Sequence, residues 1–349
     1  MTRVMPVPLS VLDQSPIVFG ASPRDAVAAT IALAKRAEEL GYHRYWLAEH
    51  HALPSLADAA PEVLLGRLTG ETATIRLGSG GIMLPHYSSF KVAETFRMLE
   101  ALAPGRIDLG VGRAPGGTRL VSAALRSGDP ERFPEQVQET LTYLAGPPED
   151  PRLRDLIAQP AGPSSPALWI LGSSNFGAQL AAQFGLPYAF AQFIGGDYPA
   201  VTQGYRRAFQ PSDQLAAPHV LVTVAAIVGE TDAEADALAL PALLSRLRRL
   251  RGISASLPSL EEARAYPWTD RERAEVAASR NMIVGSPATV RTRLESLVRA
   301  YEADELMVVT IAPDYASRMR SYELLAGAWR EGGSAAEGLF GNAVARATG

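Results

Sequence analysis

Short apolar runs alternate with longer stretches whose apolar residues recur at helical spacing, and the alternation persists from Leu9 to about residue 330 without a shift in composition. Eight of the short runs read as strands: LSVL (9–12), RYWLAE (44–49), IRLGSGGIML (75–84), IDLGVG (107–112), ALWILG (167–172), YAFAQF (188–193), HVLVTVAAIV (219–228) and ELMVVTI (305–311). The stretches between them carry helix signals. In SPRDAVAATIALAKRAEEL (22–40), Ser22 can cap the first turn, Pro23 takes its first position and Gly41 follows the last. In SSFKVAETFRMLEAL (88–102), Val92, Phe96, Leu99 and Leu102 fall on one face before Pro104-Gly105 breaks the run. Strands alternating with helices predict βα units and a parallel sheet. Eight such units in 349 residues predict one α/β domain over residues 1–331, a (β/α)8 TIM barrel with insertions, with a doubly wound sheet as the other arrangement of the same units.

Two stretches interrupt the rhythm and read as insertions: the proline-rich 146–166 and the segment 251–280. Loops of that length in a compact domain are functional lids or disordered. Residues 332–349 read as a C-terminal tail, polar and alanine-rich, either poorly ordered or an accessory helix.

Composition narrows the function classes. The chain is 47% hydrophobic, enough for a large core. Its net charge is -4, with 33 basic residues scattered among 37 acidic ones, so no face is marked for a nucleic-acid backbone and no such partner is expected. With no cysteine there is no disulfide framework, thiolate metal site or cysteine nucleophile. The opening MTRVMPVPLSVLDQSP lacks an apolar run of signal-peptide length, and no 18-residue apolar segment follows, so a soluble cytoplasmic protein without a membrane partner is expected. Only Lys35 and Lys91 are lysines; the arginine enrichment reads as composition bias.

In a parallel barrel, catalytic groups come from the C-terminal ends of strands, so the ends of the eight runs are the places to look. The second run ends in Glu49-His50-His51, inside a stretch, YHRYWLAEHHALP, that holds three of the five histidines. Strand alternation places Glu49 and His51 on one face and His50 on the other. Neither a helical His-Glu-x-x-His spacing nor a His-x-His pair is present, and His86 lies on a different loop, so no metal is expected. The bland alternative makes His43 a surface residue and one of the pair a hydrogen-bonded residue of the barrel wall. The functional one makes an imidazole an acid, base or hydrogen-bond donor, because its pKa lies near neutrality.

The third run carries Gly78, Gly80 and Gly81. They permit positive φ or let a flat ligand lie on bare backbone; equally, they suit a bulged strand in a crowded barrel. In GRIDLGVGRAPGG (105–117) the pair Gly110-x-Gly112 invites a dinucleotide fingerprint, but its third glycine would be Pro115. Arg113 then stands out as a cation in a glycine-rich loop, either solvated or a partner for a phosphate or carboxylate. The fifth run leads into Gly172, Ser173, Ser174 and Asn175 ahead of a helix that Gly185 ends. Such a helix start can bind an anion, and N-capping by Ser174 or Asn175 is compatible with it. With Arg113, this suggests a phosphate held by the loops after the fourth and fifth strands. A second capped start, Ser286 before Pro287 in IVGSPATVRTRLESL, reads as structural.

With EHHALPSL, RLGSGGIMLPHYSSFKVAETFRMLEALAPGRIDLGVGRAPGG and LWILGSSNFGAQLAAQFGLPYAFAQF in view, the chain resembles the bacterial luciferase-like flavin-dependent monooxygenases, from Leu9 to about Ala328. The resemblance implies a (β/α)8 barrel, usually a homodimer, that binds reduced FMN at its C-terminal mouth. It also implies that oxygen forms a flavin hydroperoxide, which oxidises an aldehyde or another small organic substrate. The electrons would come from NAD(P)H, directly or through a flavin reductase. Carried over by position, the family's active-site histidine falls on His50, flanked by Glu49 and His51. The Gly80–Gly81 bond matches a place where the family often has a non-proline cis peptide under the flavin ring. Arg113 matches the phosphate-contacting arginine, and Ser173 with Ser174 the phosphate-cradling loop. Light-emitting members have a cysteine where this chain has Gly112, so light emission is not implied. A deazaflavin-dependent dehydrogenase on the same barrel and a non-catalytic flavin-binding protein are the alternatives.

Overall fold

A computed structural model of the chain describes residues 7–146, 155–253, 255–278 and 282–344. Its strands are β1 (Leu9–Asp13), β2 (Arg44–Leu47), β3 (Arg76–Ser79), β4 (Ile82–Met83), β5 (Ile107–Gly112), β6 (Ala167–Gly172), β7 (Tyr188–Ala191), β8 (Val220–Val228), β9 (Met282–Gly285) and β10 (Glu305–Val309). The helices are α1 (Pro23–Glu39), α2 (Pro61–Thr69), α3 (Ser89–Leu102), α4 (Arg119–Ala124), α5 (Phe133–Ala145), α6 (Asn175–Phe184) and α7 (Gln192–Gly195). They continue with α8 (Pro199–Ala208), α9 (Asp232–Leu250), α10 (Leu260–Ala265), α11 (Asp270–Ala278), α12 (Pro287–Tyr301) and α13 (Tyr315–Val344).

All strand pairings are parallel, and β10 pairs with both β1 and β8, which closes the sheet. The eight staves are β1, β2, β3 with β4, β5, β6, β7, β8 and β10, as the eight apolar runs predict. The long third run does not stay a single strand. It breaks after Ser79 at a cis Gly80–Gly81 bond, and Ile82–Met83 resumes pairing with Val111 and Gly112. A side chain on either glycine would collide with the barrel: a Cβ on Gly81 would lie 2.7 Å from the Gly110 carbonyl oxygen, and one on Gly80 would run into Leu12. Strand β9, absent from the sequence expectation, pairs only with Ala225–Val228, the upper half of a nine-residue β8 that outgrows the barrel and would otherwise leave an open edge.

Capping follows the sequence in part. Ser22 closes a capping box with Asp25, its backbone N–H donating to the Asp25 carboxylate at 2.8 Å. Ser174 and Ser286 also sit at N-cap positions, but neither hydroxyl makes the capping bond. The segment 251–280 carries α10 and α11, whose Ala263 and Val276 pack with Leu244 and Leu247 of α9. Helix α13 runs on to Val344, so the expected tail begins as its continuation.

The barrel interior is filled unevenly along its axis. At the N-terminal end, Arg44 reaches Asp108 (2.8 Å) and Glu305 (3.0 Å), Arg76 reaches Asp108 (2.5 Å), and Ser10 donates to Glu305. Arg44, Asp108 and Glu305 are buried and Arg76 is half-buried, and burial is tolerated because each has a close counter-charge. Above them lies an apolar layer of Leu12, Trp46, Trp169, Ala189, Leu221 and Met307, with the two indoles edge to face at 5.2 Å. A second and larger core packs the outer faces of the strands against the helices. The floor is thus sealed by ions and capped with hydrocarbon, which leaves the C-terminal mouth as the open end.

Candidate functional site

Two cavities meet at the C-terminal mouth, sharing Phe193 and Ile194 of α7 as a partition. The smaller, about 280 Å3, has an apolar base that includes Leu12, Trp46, Leu171 and Met307, and its polar end is formed by Arg113, Ser173 and Ser174. Gly80 and Gly81 line it as well. The larger, about 470 Å3, is walled by α9 and by the end of β10, and His50 faces it.

Strand β2 ends at Leu47, yet the alternation expected beyond it holds. His50 turns one way, its Nδ1 2.9 Å from Asp58 Oδ2; its Nε2 makes no bond among the described residues and is the atom left for a bound molecule. Asp58 is 2% exposed, and its second carboxylate oxygen has no partner among the described residues. Burial is the main reason its pKa is pushed up to about 6, against the opposing pull of the His50 hydrogen bond.

His51 turns the other way, its Nε2 2.6 Å from Glu49 Oε1. Glu49 is fully buried and lines neither cavity. Its carboxylate accepts from the Met83 N–H (2.9 Å) and the Tyr87 hydroxyl (2.7 Å), so it fixes β4 against the end of β2. His51 also meets the His86 ring edge to face at 5.6 Å. The loop behind Arg113 is tied to this pair: the His51 N–H donates to Gly116 O (3.0 Å), and His86 Nε2 lies 2.8 Å from Pro115 O. Two histidines that the sequence leaves on separate loops therefore hold the arginine loop together.

Arg113 lays its guanidinium over the Phe176 ring, 4.1 Å from the centroid, at the first turn of α6. Its nearest carboxylate is exposed Glu131 at 3.8 Å, a weak competitor in water. Arg113, the uncapped Ser174 and Ser173 thus converge on one helix start, as the sequence suggests they would. The start combines a cation, two hydroxyls and the free N–H groups of a ten-residue helix, the donor set for a phosphate. Gly110, which the fingerprint spacing made suspect, serves packing instead: a Cβ there would run into the Ser79 carbonyl. Gly112 has room, its would-be Cβ meeting only Met83 Sδ at 3.8 Å. His43 is exposed, as the bland reading has it. Among the described residues, no group of three or more histidine and acidic side chains is placed to hold a metal ion, and no helix is long and apolar enough to cross a membrane.

Sequence reasoning missed Asp58, which sits in the small-residue loop after the histidines with nothing to mark it. It missed Phe193, read as the last residue of a strand where the chain turns into α7, and Ile194 just beyond it. It also passed over Arg246 and Arg249 of α9, whose spacing of three residues was legible but was absorbed into the general arginine excess.

Comparison with known proteins gives a consistent picture. The family model described as luciferase-like monooxygenase matches residues 9–303. A luciferase-like monooxygenase of Escherichia coli (strain K12) is 40% identical over 324 residues, covering 91% of this chain and 96% of that protein. The N-acetyl-S-alkylcysteine monooxygenase of Bacillus subtilis (strain 168) is 38% identical over 328 residues, covering 92% and 97%. Among solved structures, that of apo-MsnO8 superposes with a TM-score of 0.87 at 39% identity, covering 93% of this chain and 98% of that one.

Proposed function

The chain belongs to the luciferase-like monooxygenase family, and from that premise we propose that it is a flavin-dependent monooxygenase that uses reduced FMN and O2 to oxidise a small organic substrate. The observation that carries the proposal is the make-up of the smaller cavity, which fits FMN at both ends. Its apolar base suits the face of an isoalloxazine ring, and the Arg113, Ser173 and Ser174 end suits the terminal phosphate. Gly80 and Gly81 leave the ring nothing to clash with but backbone. When bound, reduced FMN would supply two electrons, so that one oxygen atom of O2 enters the substrate and the other leaves as water.

The chain's own residues supply the surroundings. Arg113 and the α6 start bind and orient the phosphate. Glu49 and His51 act one step away, holding Met83 and the arginine loop in place, and Glu49 serves FMN by that positioning. His50 is the catalytic residue of this reading. Asp58 fixes its ring through Nδ1, so Nε2 faces the substrate cavity as a hydrogen-bond donor or acceptor to the reacting groups. Phe193 and Ile194 stand between the two cavities, where flavin and substrate would meet.

The proposal carries with it a flavin reductase or NAD(P)H as the source of electrons, a homodimer and a cytoplasmic setting. Its test is oxygen uptake. With photoreduced FMN supplied, purified protein should consume O2 in step with oxidation of a thioether or aldehyde from a substrate panel. Substrate oxidation without oxygen, with a deazaflavin as the hydride acceptor, would instead identify the dehydrogenase alternative. Flavin binding without turnover of any kind would identify the non-catalytic one.

A further inference from the structure

The segment 251–280, which the sequence sets apart as an insertion, contributes Leu257 to the mouth of the barrel. Leu257 is buried, and it closes a third cavity of about 190 Å3 beside the larger one. The two share a neck of Gln14, His50, Ala242, Arg249 and Ile311, which line both. Past the neck the walls are Pro16, Leu53, Leu56 and Leu257, with Ser55 and Ser245 as uncharged polar groups. The far wall is built from two loops tied together. The Ile17 N–H donates to Ser55 O (2.8 Å), the Ala57 N–H donates to Ser15 O (3.0 Å), and Pro16 bridges to Leu56 in antiparallel fashion. The second of these loops also carries Asp58, 2.9 Å from His50, so the cavity wall and the group that orients His50 are one piece of backbone. Strand order sets the two necks of the larger cavity apart. Phe193 and Ile194 follow β7, whereas Gln14, His50 and Ile311 follow β1, β2 and β10, with β8 between. The three cavities therefore form a row, and the larger one touches each neighbour through a different wall.

We propose that the third cavity is a second subsite of the substrate pocket, so that the substrate has a body in the larger cavity and an uncharged apolar arm that passes His50 and ends against Leu257. This deepens the flavin-dependent reading and rests on it for the word substrate. At about 30 Å3 for each water-sized group, the cavity has room for an arm of about six heavy atoms. Its walls favour hydrocarbon, since each methylene moved from water to such a surface gains roughly fourfold in affinity. A charged end group would be stranded against Leu53 and Leu257 with only hydroxyls beside it. An arm seated there also fixes which end of the body is presented to Phe193 and Ile194, where the flavin would lie. Leu257 and Ser245 thereby become specificity-determining residues, because each lines the third cavity and not the larger one.

The test uses the full chain with excess FMN, calorimetry and three matched probes: thioanisole, 4-hexylthioanisole and 4-(5-carboxypentyl)thioanisole. The hexyl compound is expected to bind at least ~30-fold tighter than thioanisole, the gain from burying a few of its methylenes. Leu257→Trp and Ser245→Phe, which place a ring in the third cavity, should each remove most of that gain while thioanisole affinity stays within about twofold. Ser245 is a half-buried position on the surface of α9, so its variant keeps the test alive if Leu257→Trp does not fold. Equal binding of thioanisole and its hexyl homologue, or a gain indifferent to both substitutions, would overturn the proposal. So would an equal loss of thioanisole binding in folded variants, because the two positions would then shape the whole pocket. Tighter binding of the carboxylate-tipped probe than of the hexyl one would overturn the uncharged assignment. FMN fluorescence titration of the same samples separates this claim from the flavin reading. FMN binding without a gain from the arm removes the subsite alone. Absence of FMN binding in the unsubstituted protein, with the gain and its loss in the variants intact, would remove the flavin reading and leave a two-part binding site.

Discussion

Asp58→Asn removes a titrating group whose cost can be worked out from its surroundings. Asp58 is 2% exposed, with one carboxylate oxygen beside His50 and the other without a partner among the described residues. Its pKa rises from 3.8 to about 6, chiefly through burial. A rise of that size corresponds to about 3 kcal/mol between the two protonation states, at 1.36 kcal/mol per unit. The sign follows from linkage. The folded protein holds this proton more tightly than the unfolded chain, so the contribution is fully present below pH 3.8 and is lost as the pH climbs to about 6. The amide has no proton to lose. Relative to the parent, Asp58→Asn should therefore gain up to ~3 kcal/mol of stability between pH 4 and pH 7, with nearly all the change complete by pH 6.5. A constant offset from the amide's own hydrogen bonds leaves that slope untouched. Urea unfolding of both proteins at half-unit steps across this window measures it. Parallel stability curves would refute the reasoning, because they would mean that Asp58 is ionised in the folded state as readily as in the unfolded one.

His50→Gln should lower kcat by about a hundredfold or more, the usual scale of acid–base assistance, while FMN affinity stays within about twofold; steady-state kinetics and fluorescence titration separate the two, and equal losses in both would make His50 structural. Arg44→Met should cost about 3 to 5 kcal/mol in chemical denaturation, because it strands Glu305 and part of the Asp108 charge at the sealed end of the barrel, and stability should partly recover at low pH as those carboxylates take up protons.

The barrel was legible in the sequence because each stave is a short apolar run between capped helices, and eight such runs leave few arrangements. Strand β9 was not, since its four residues MIVG read as a lead-in to α12 and acquire their strand character only from the overhang of β8. The ionic floor was equally hidden. Arg44, Asp108 and Glu305 each stand at the start of a different strand, where a polar residue looks like an ordinary boundary, and only barrel closure brings them within 3.0 Å. At the mouth, Arg113 and the serine loop could be anticipated because their chemistry is local: a cation, hydroxyls and a helix start. Which histidine faces the cavity could be posed by strand alternation, but the answer came from Asp58, eight residues on in a loop without periodicity.

In the proposed function the smaller cavity binds FMN through Arg113 and the start of α6. Titrating FMN fluorescence with the unsubstituted protein and with Arg113→Ala tests it most directly. Saturable quenching by the parent is expected, with affinity about 10- to 100-fold weaker in the variant, the loss expected for a charged partner of a phosphate. Absence of quenching by the parent, or identical affinity in the two proteins, would contradict it.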